Sequence, residues 1–307
     1  MRALVVLNPG SGSLGKLGID PGRERVAAIC KANNLAATVA IVPGSGISER
    51  IKDELTSSQD GTGRRFDIVV VGGGDGSISA AASVLAGSDI PLGILPLGTL
   101  NHFARDLGLP LDLEGAIRLI ASGQARPVDV GEVNGRVFLN NSSLGIYPQL
   151  VAERDRYRRH GPTRWLAAAF ALCRVLWRMP RPKVRVLAPG WKAVRRTTCL
   201  FIANNMYRFD ALASAKRMRL DQGELCLHMA NAQTRLSLLR LAIRALLGRL
   251  EPDRDFTQVS LESVEISLRR RRVRVALDGE SLVFRPPLHY RIRPRALRVI
   301  APEPGLS

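Results

Sequence analysis

Between residues 69 and 77 the chain reads VVVGGGDGS, three β-branched residues running directly into a loop with almost no side chains, followed by an alanine-rich stretch from Ile78 to Leu85. A run that is apolar at every residue suits a parallel strand buried on both faces, and the stretch after it reads as the helix that follows. The same passage recurs along the first 125 residues. ALVVLN (3–8), AATVAIV (36–42), FDIVVV (66–71) and PLGILP (91–96) alternate with helical stretches near 22–33, 47–57, 78–85 and 113–123. Strands alternating with helices predict a parallel α/β sheet with its ligand loops at the carboxyl ends of the strands.

Three such loops are polar or glycine-rich: NPGSG (8–12), GGGDGS (72–77) and PLGTLNHFARDLGLP (96–110). Closing a tight βα turn takes one or two glycines, and here there are four around one acid, Gly72, Gly73, Gly74 and Gly76 about Asp75. Bare backbone at a helix N-terminus presents N–H groups and a favourable dipole to an anion, so phosphate is the expected ligand. The loop lacks the Gly-Lys-Ser/Thr ending of a P-loop, and Ser77 stands where the dinucleotide fingerprint needs Gly or Ala. With no loop lysine to neutralise phosphates, Asp75 points to Mg²⁺, which favours a carboxylate plus phosphate oxygens.

After Arg126 the pattern changes to period two. PVDVGEVNGRVFLNNSSLG (127–145) holds two alternating runs about Asn134-Gly135, a hairpin signal, and further strands are expected at KVRVLA, RRTTCLFIAN, GELCLHMA, VSLESVEISL, RRVRVALDGE and HYRIRP. The expected fold class is therefore α/β plus all-β: a parallel-sheet α/β domain over 1–126 and an antiparallel β-sandwich domain over 127–307, the last residues being free to return to the first. Two helical segments interrupt the second domain, RWLAAAFALCRVLWR (164–178) and TRLSLLRLAIRALLGRL (234–250). Arginines break both, so neither is a membrane span; with Trp165 and Trp177 they suit either the membrane interface or packing on their own domain.

At 307 residues the chain is long enough for two domains of the usual size. Its net charge of +18 is uneven: residues 131–307 carry 33 Lys/Arg against 14 Asp/Glu, and the first 130 residues are nearly neutral. Such a half attracts nucleic acid, anionic membrane or acidic ligands. Few aromatics interleave with its arginines and no nucleic-acid module is present, so nucleic acid is not expected as a partner. Cys30, Cys173, Cys199 and Cys226 lie far apart in no metal-ligand spacing and read as reduced thiols. The N-terminus reads as a first strand rather than a signal peptide, and the expected location is cytoplasmic.

Taken in order, LNPGSG, GGGDGS, PLGTLNHFARDLGLP, VDVG (128–131) and LDGE (277–280) resemble the diacylglycerol kinase catalytic family, particularly its soluble bacterial lipid kinases, over nearly the whole chain. The Gly-Gly-Asp-Gly loop alone is shared with NAD kinases and phosphofructokinases; the Gly-Thr-x-Asn-x-Phe-Ala-Arg block and the late Asp-Gly-Glu narrow the resemblance. It implies an NAD kinase/diacylglycerol kinase-like nucleotide-binding domain, with ATP bound between it and the β-sandwich domain.

Carried over by position, the resemblance assigns ATP to Asn8, Pro9, Gly10, Ser11, Gly12, Gly73, Gly74, Asp75, Gly76, Ser77, Ile78, Ser79, Thr99 and Asn101. Thr99 and Asn101 also suit capping of the next helix, and Arg105 suits a phosphate, Asp106 or Glu114. Glu280 matches the catalytic base, although LDGES on its own reads as a hairpin turn. Asp129 matches an aspartate linked to the catalytic Mg²⁺ and to that glutamate. The family's structural metal site is doubtful here, because Asp221-Gln222-Gly223 replaces Asp-Asp-Gly; Pro43 and NNMYRFD (204–210) depart from the usual pattern as well. The implied reaction is ATP- and Mg²⁺-dependent phosphorylation of a lipid hydroxyl, most simply that of diacylglycerol, by an enzyme peripherally associated with an anionic membrane. A sphingoid base, ceramide or another polyol lipid is the alternative acceptor, a non-catalytic anionic-surface binder ranks lower, and the oligomeric state stays open, a homodimer included.

Overall fold

A computed structural model describes residues 1–12, 18–56, 65–148, 182–209, 215–217, 219–230 and 256–303, with isolated positions between 234 and 244. The chain folds into two compact units, residues 1–130 with 294–307, and residues 131–293. It passes between them inside two of its own strands.

In the first unit the strands are β1 (Arg2–Leu7), β2 (Ala36–Ile41), β3 (Ile68–Gly73) and β4 (Leu92–Pro96), paired in parallel in the order β2-β1-β3-β4. Leu4 lies opposite Thr38 and Val69, and Val70 opposite Gly93. Every residue of β3 is buried, as its unbroken apolar run requires. Helices α1 (Ile19–Ala32), α2 (Ile47–Thr56), α3 (Asp75–Leu85), α4 (His102–Asp106) and α5 (Leu113–Ser122) make the connections, with a 3₁₀ turn at Gly44–Gly46. Val26 and Cys30 of α1 and Ala116, Ile117 and Ile120 of α5 close one core over Val5, Leu7, Ile68 and Val70. The parallel order brings the ends of β1, β3 and β4 to one edge.

Helix α3 starts at Asp75, three residues before the apolar periodicity does, because the Ser77 and Ile78 amides both donate to Gly74 O (2.9 and 3.2 Å) behind an extended Gly74. The block expected as a loop after β4 contains α4. Ten residues on, Asp112 caps α5, its Oδ1 accepting the Gly115 amide at 2.7 Å.

The next strand, β5 (Ala125–Val133), turns at Asn134-Gly135 into β6 (Arg136–Phe138), and both turn residues have positive φ (45° and 81°), the conformation a two-residue hairpin demands. The strands that follow are β7 (Asn141–Gly145), β8 (Lys183–Ala188), β9 (Trp191–Arg196), β10 (Cys199–Asn204), β11 (Tyr207–Phe209), β12 (Ala215–Arg217), β13 (Leu225–Ala230), β14 (Phe256–Leu261), β15 (Ser263–Leu268), β16 (Val273–Leu277), β17 (Glu280–Phe284) and β18 (Leu288–Ile300). In the second unit, β14-β13-β10-β7-β16-β17 form one antiparallel sheet. The start of β18 pairs with β15, followed by β8 and β9. Side chains of both sets share one core, with Leu144, Ile202, Leu227 and Val275 from the first and Val184, Val186, Ile266 and Leu288 from the second. The Ser142 hydroxyl and the Tyr290 phenol meet at 2.9 Å across it, and burial pushes the phenol pKa far up. The fold is α/β plus an antiparallel β-sandwich.

Two stretches read as continuous strands are each divided. VSLESVEISL becomes β14 and β15 in different sheets, with the break at Glu262, whose carbonyl accepts the Ile292 amide at 2.9 Å. GRVFLNNSSLG breaks into β6 and β7 at Leu139-Asn140. Both helical segments, 164–178 and nearly all of 234–250, lie outside the described residues, as do Cys173, Trp165 and Trp177. Among the described residues no helix is long and apolar enough to cross a membrane. Cys30, Cys199 and Cys226 are free thiols, and burial raises the pKa of Cys199 and Cys226 to about 11 each.

Candidate active site

At the carboxyl edge of the parallel sheet the loops after β1, β3 and β4 are tied together. The Asn8 amide group donates from Nδ2 to Ser77 Oγ at 2.8 Å, while its Oδ1 accepts the Gly10 amide at 3.0 Å and its carbonyl accepts the Ser11 amide and hydroxyl. One side chain thus folds the first loop and moors it to α3. A Cβ on Gly12 would stand 3.7 Å from Thr99 Oγ1, so the first and third loops also adjoin.

The glycines of the second loop are needed for approach rather than for unusual dihedrals, since none of 72, 73, 74 or 76 has positive φ. A Cβ at Gly73 would lie 2.5 Å from Ser77 Cβ and Oγ. One at Gly98 would overlap the Cα of Gly74 and stand 2.7 Å from Asn101 Oδ1. The second and third loops therefore touch backbone to backbone, which only glycine permits.

Asp75 joins the same two loops. Its Oδ2 and Oδ1 accept the His102 and Phe103 amides (3.2 and 3.1 Å), so it caps α4 from another segment of the chain. Capping of α4 was a role the sequence offered to Asn101. Instead the Asn101 side chain is buried within its own loop, donating to Pro96 O and Gly98 O and accepting from Gly98 N, in a left-handed backbone (φ 51°). Arg105 turns back to Leu100 O at 3.0 Å. Pro9 and Ser79 are half-buried, Gly10, Gly12 and Thr99 are exposed, and the Ile78 side chain is fully buried under α3, leaving only its backbone toward the loop.

Asp129, on β5, is 1% exposed, and its Oδ1 accepts the Arg295 amide at 2.8 Å, with Arg295 itself at φ 52°. Val128 and Val130 are buried as well, so alternation along β5 does not divide a solvent face from a core face. Asp221 is held by the guanidinium of Arg219 through both oxygens (3.0 and 3.2 Å), a pairing that raises the Arg219 pKa.

In the second unit Glu280 opens β17, exposed, directly after a turn in which Asp278 and Gly279 have φ of 46° and 85°. The sequence marked this as a hairpin but did not show what holds it. Asp278 accepts three consecutive amides, Leu139, Asn140 and Asn141, at 2.8, 2.8 and 3.0 Å, and donates its own amide to Asn141 O at 2.9 Å. The same Leu139–Asn141 segment is gripped by Arg217, 2% exposed, which donates to Leu139 O (2.6 Å) and Asn140 Oδ1 (2.7 Å), and by Asn204 Nδ2 to Leu139 O (2.8 Å). Only the Asp-Gly dipeptide signalled any of this in sequence.

For Mg²⁺, no cluster of three or more His, Cys, Asp or Glu occurs among the described residues. Asp75 is partly exposed beside the first-turn amides of α3, and one or two carboxylates completed by phosphate oxygens suffice for this ion, so the donor set fits.

Residues 2–133 match the model of the diacylglycerol kinase catalytic domain. A diacylglycerol kinase of Mycobacterium tuberculosis is 32% identical over 249 residues, covering 78% of each chain. The chain belongs to the diacylglycerol kinase catalytic-domain family. Membership makes it a kinase of the lipid-kinase kind. A "Probable lipid kinase YegS-like" protein of Pseudomonas aeruginosa is 29% identical over 93% of this chain and 92% of its own. The chain spans 59% of the length of a further curated relative. In fold, this family member is similar to the crystal structure of a diacylglycerol kinase from Bacillus anthracis (TM-score 0.67, 20% identity, covering 100% of this chain and 98% of that one).

Proposed function

We propose that this kinase transfers the γ-phosphoryl group of ATP to a primary hydroxyl of a membrane lipid, diacylglycerol in the first instance. The observation that carries the reading is the joining of three loops at one sheet edge by Asn8–Ser77, Gly74–Gly98 and Asp75 with the α4 amides. Backbone amides of the first and second loops bind the phosphates, and Asn101 keeps the third loop in the shape that lets Gly98 approach Gly74. In this reading residues 1–126 form the nucleotide domain and residues 127–307 the acceptor domain.

Asp75, with Asp129, would hold the Mg²⁺, which supplies charge neutralisation on the transferring phosphoryl group. Glu280 orients the acceptor hydroxyl and takes its proton as the bond to phosphorus forms, a task for a carboxylate whose loop is rigid. Asp278 supplies that rigidity. The acceptor lies in a bilayer, and the enzyme works as a peripheral protein of the cytoplasmic face.

Transfer of labelled γ-phosphate from Mg-ATP to a panel of lipids in mixed micelles tests this. Label in diacylglycerol upholds the reading; label confined to a sphingoid base, ceramide or another polyol lipid replaces the acceptor; label in no lipid, with ATP bound, removes the acceptor assignment.

A further inference from the structure

Three segments of the second unit contain no acidic residue at all: 183–196, 266–277 and 281–288. Between them they hold eleven Lys and Arg, each of them exposed. Register brings much of this charge to one end. Leu268, the last residue of β15, pairs with Val184, next to Lys183, which pairs with Arg196. Val273, the first residue of β16, pairs with Phe284, next to Arg285. The turn between β15 and β16, Arg269–Arg272, is four consecutive arginines lying between Lys183 and Arg196 on one side and Arg285 on the other. None of these side chains meets a carboxylate among the described residues.

Seven cations with no carboxylate partner among the described residues raise one another's cost at one end, and a fold that only needed solubility would have interspersed acids. Two exposed valines border the cluster, Val194 opposite Arg185 (48% exposed) and Val283 opposite Arg274 (56% exposed). A mixture of arginine and bare valine suits the headgroup region of a bilayer, where lipid phosphates meet the guanidinium groups and apolar side chains reach the acyl boundary. A nucleic-acid backbone gives the valines nothing to contact.

We infer that the Arg269–Arg272 turn, flanked by Lys183, Arg196 and Arg285, is the surface by which this kinase docks on an anionic bilayer. The inference rests on the lipid acceptor proposed above and adds the surface by which that membrane is met. It requires no contact between these arginines and the nucleotide loops.

The test is co-sedimentation of the full-length protein with phosphatidylcholine vesicles, with and without phosphatidylglycerol, across a salt series. R269Q/R270Q/R271Q/R272Q is compared with R23Q/K31Q/K52Q/R118Q, which removes the same charge from exposed positions of the first unit. The parent is expected to bind phosphatidylglycerol vesicles and to leave them as salt rises, and the turn variant to lose roughly 100-fold or more in partition coefficient at the usual gain per basic residue. The control variant stays near the parent. Equal losses in both variants, unchanged binding in the turn variant, or tighter retention of the parent on duplex DNA than on vesicles at one salt concentration each overturn the inference. Transfer to a short-chain, water-dispersed diacylglycerol is followed on the same preparations and is expected to survive in the turn variant. A parent that binds vesicles yet transfers nothing upholds this surface and counts against the acceptor assignment instead.

Discussion

The Asp278 carboxylate accepts the Asn140 amide at 2.8 Å, and with the Leu139 and Asn141 amides it forms a three-donor clamp two residues from Glu280. The clamp has a physical logic. A type I′ turn needs positive φ at both central residues, which Asp tolerates only modestly, and the three hydrogen bonds hold it there. Removing the carboxylate in Asp278→Ala leaves three part-buried amides without it, so unfolding free energy should fall by about 3 kcal/mol, at ~1–3 kcal/mol per unmet group and with losses less than additive. Denaturant midpoints at constant slope measure this. Lipid turnover should fall with it while the KM for ATP stays in place.

Asp75 offers a separation of two roles. In Asp75→Asn one oxygen still accepts one of the two α4 amides while the side-chain NH2 faces the other, so stability should fall by only about 1–2 kcal/mol. The negative charge is lost, and phosphoryl transfer should drop by about 100-fold or more with a raised Mg²⁺ requirement. A large loss of stability with unaltered Mg²⁺ dependence would instead make the residue a cap alone.

Gly98→Ala places a methyl group against the Cα of Gly74, backbone that cannot step aside. The expected cost is about 1–3 kcal/mol, the range for overpacking, together with weaker ATP binding. Gly10→Ala, whose Cβ would stand 3.3 Å from Asn8 Oδ1, is the milder comparison. Calorimetric binding of ATP to both variants, alongside their melting temperatures, checks the ordering.

His228 on β13 sits against the rings of Phe201 and Phe256, 2% exposed, and burial lowers its pKa from the ordinary 6.5 to about 4. Between those values the unfolded chain binds a proton that the folded chain does not, so stability should be full above pH 6.5 and fall on acidification toward pH 4. The loss attributable to this residue is about 3 kcal/mol over the window. His228→Phe should flatten that part of the stability profile, measured by denaturant unfolding at successive pH values.

Local chemistry was readable where it acts within a few residues. The Asn134-Gly135 and Asp278-Gly279 turns, the buried β3 strand and the succession of the first four strands along the chain all follow from residue type and period, whereas their order in the sheet does not. Interruptions imposed from a distance were not readable. The apolar phase slips by one residue at Glu262-Ser263 and alternation lapses around Leu139, but that the chain changes sheet at the first and breaks at the second is set by distant partners (Ile292; Asp278, Arg217 and Asn204) that take up the backbone there. At the candidate site the sequence marked the loops but not what their side chains do. The Asn101 amide is used up inside its own loop, and the cap of α4 comes from Asp75, 27 residues upstream of His102.

In the proposed reaction Glu280 serves phosphoryl transfer to a lipid hydroxyl. That role is tested most directly by transfer of labelled γ-phosphate to diacylglycerol at saturating Mg-ATP, comparing the parent with Glu280→Gln, with ATP affinity and melting temperature measured on both. Label is expected in the parent, with a loss of about 100-fold or more in the variant at the usual worth of a positioned base, and with ATP affinity and stability unchanged. A variant that phosphorylates the lipid at the parental rate would contradict that role.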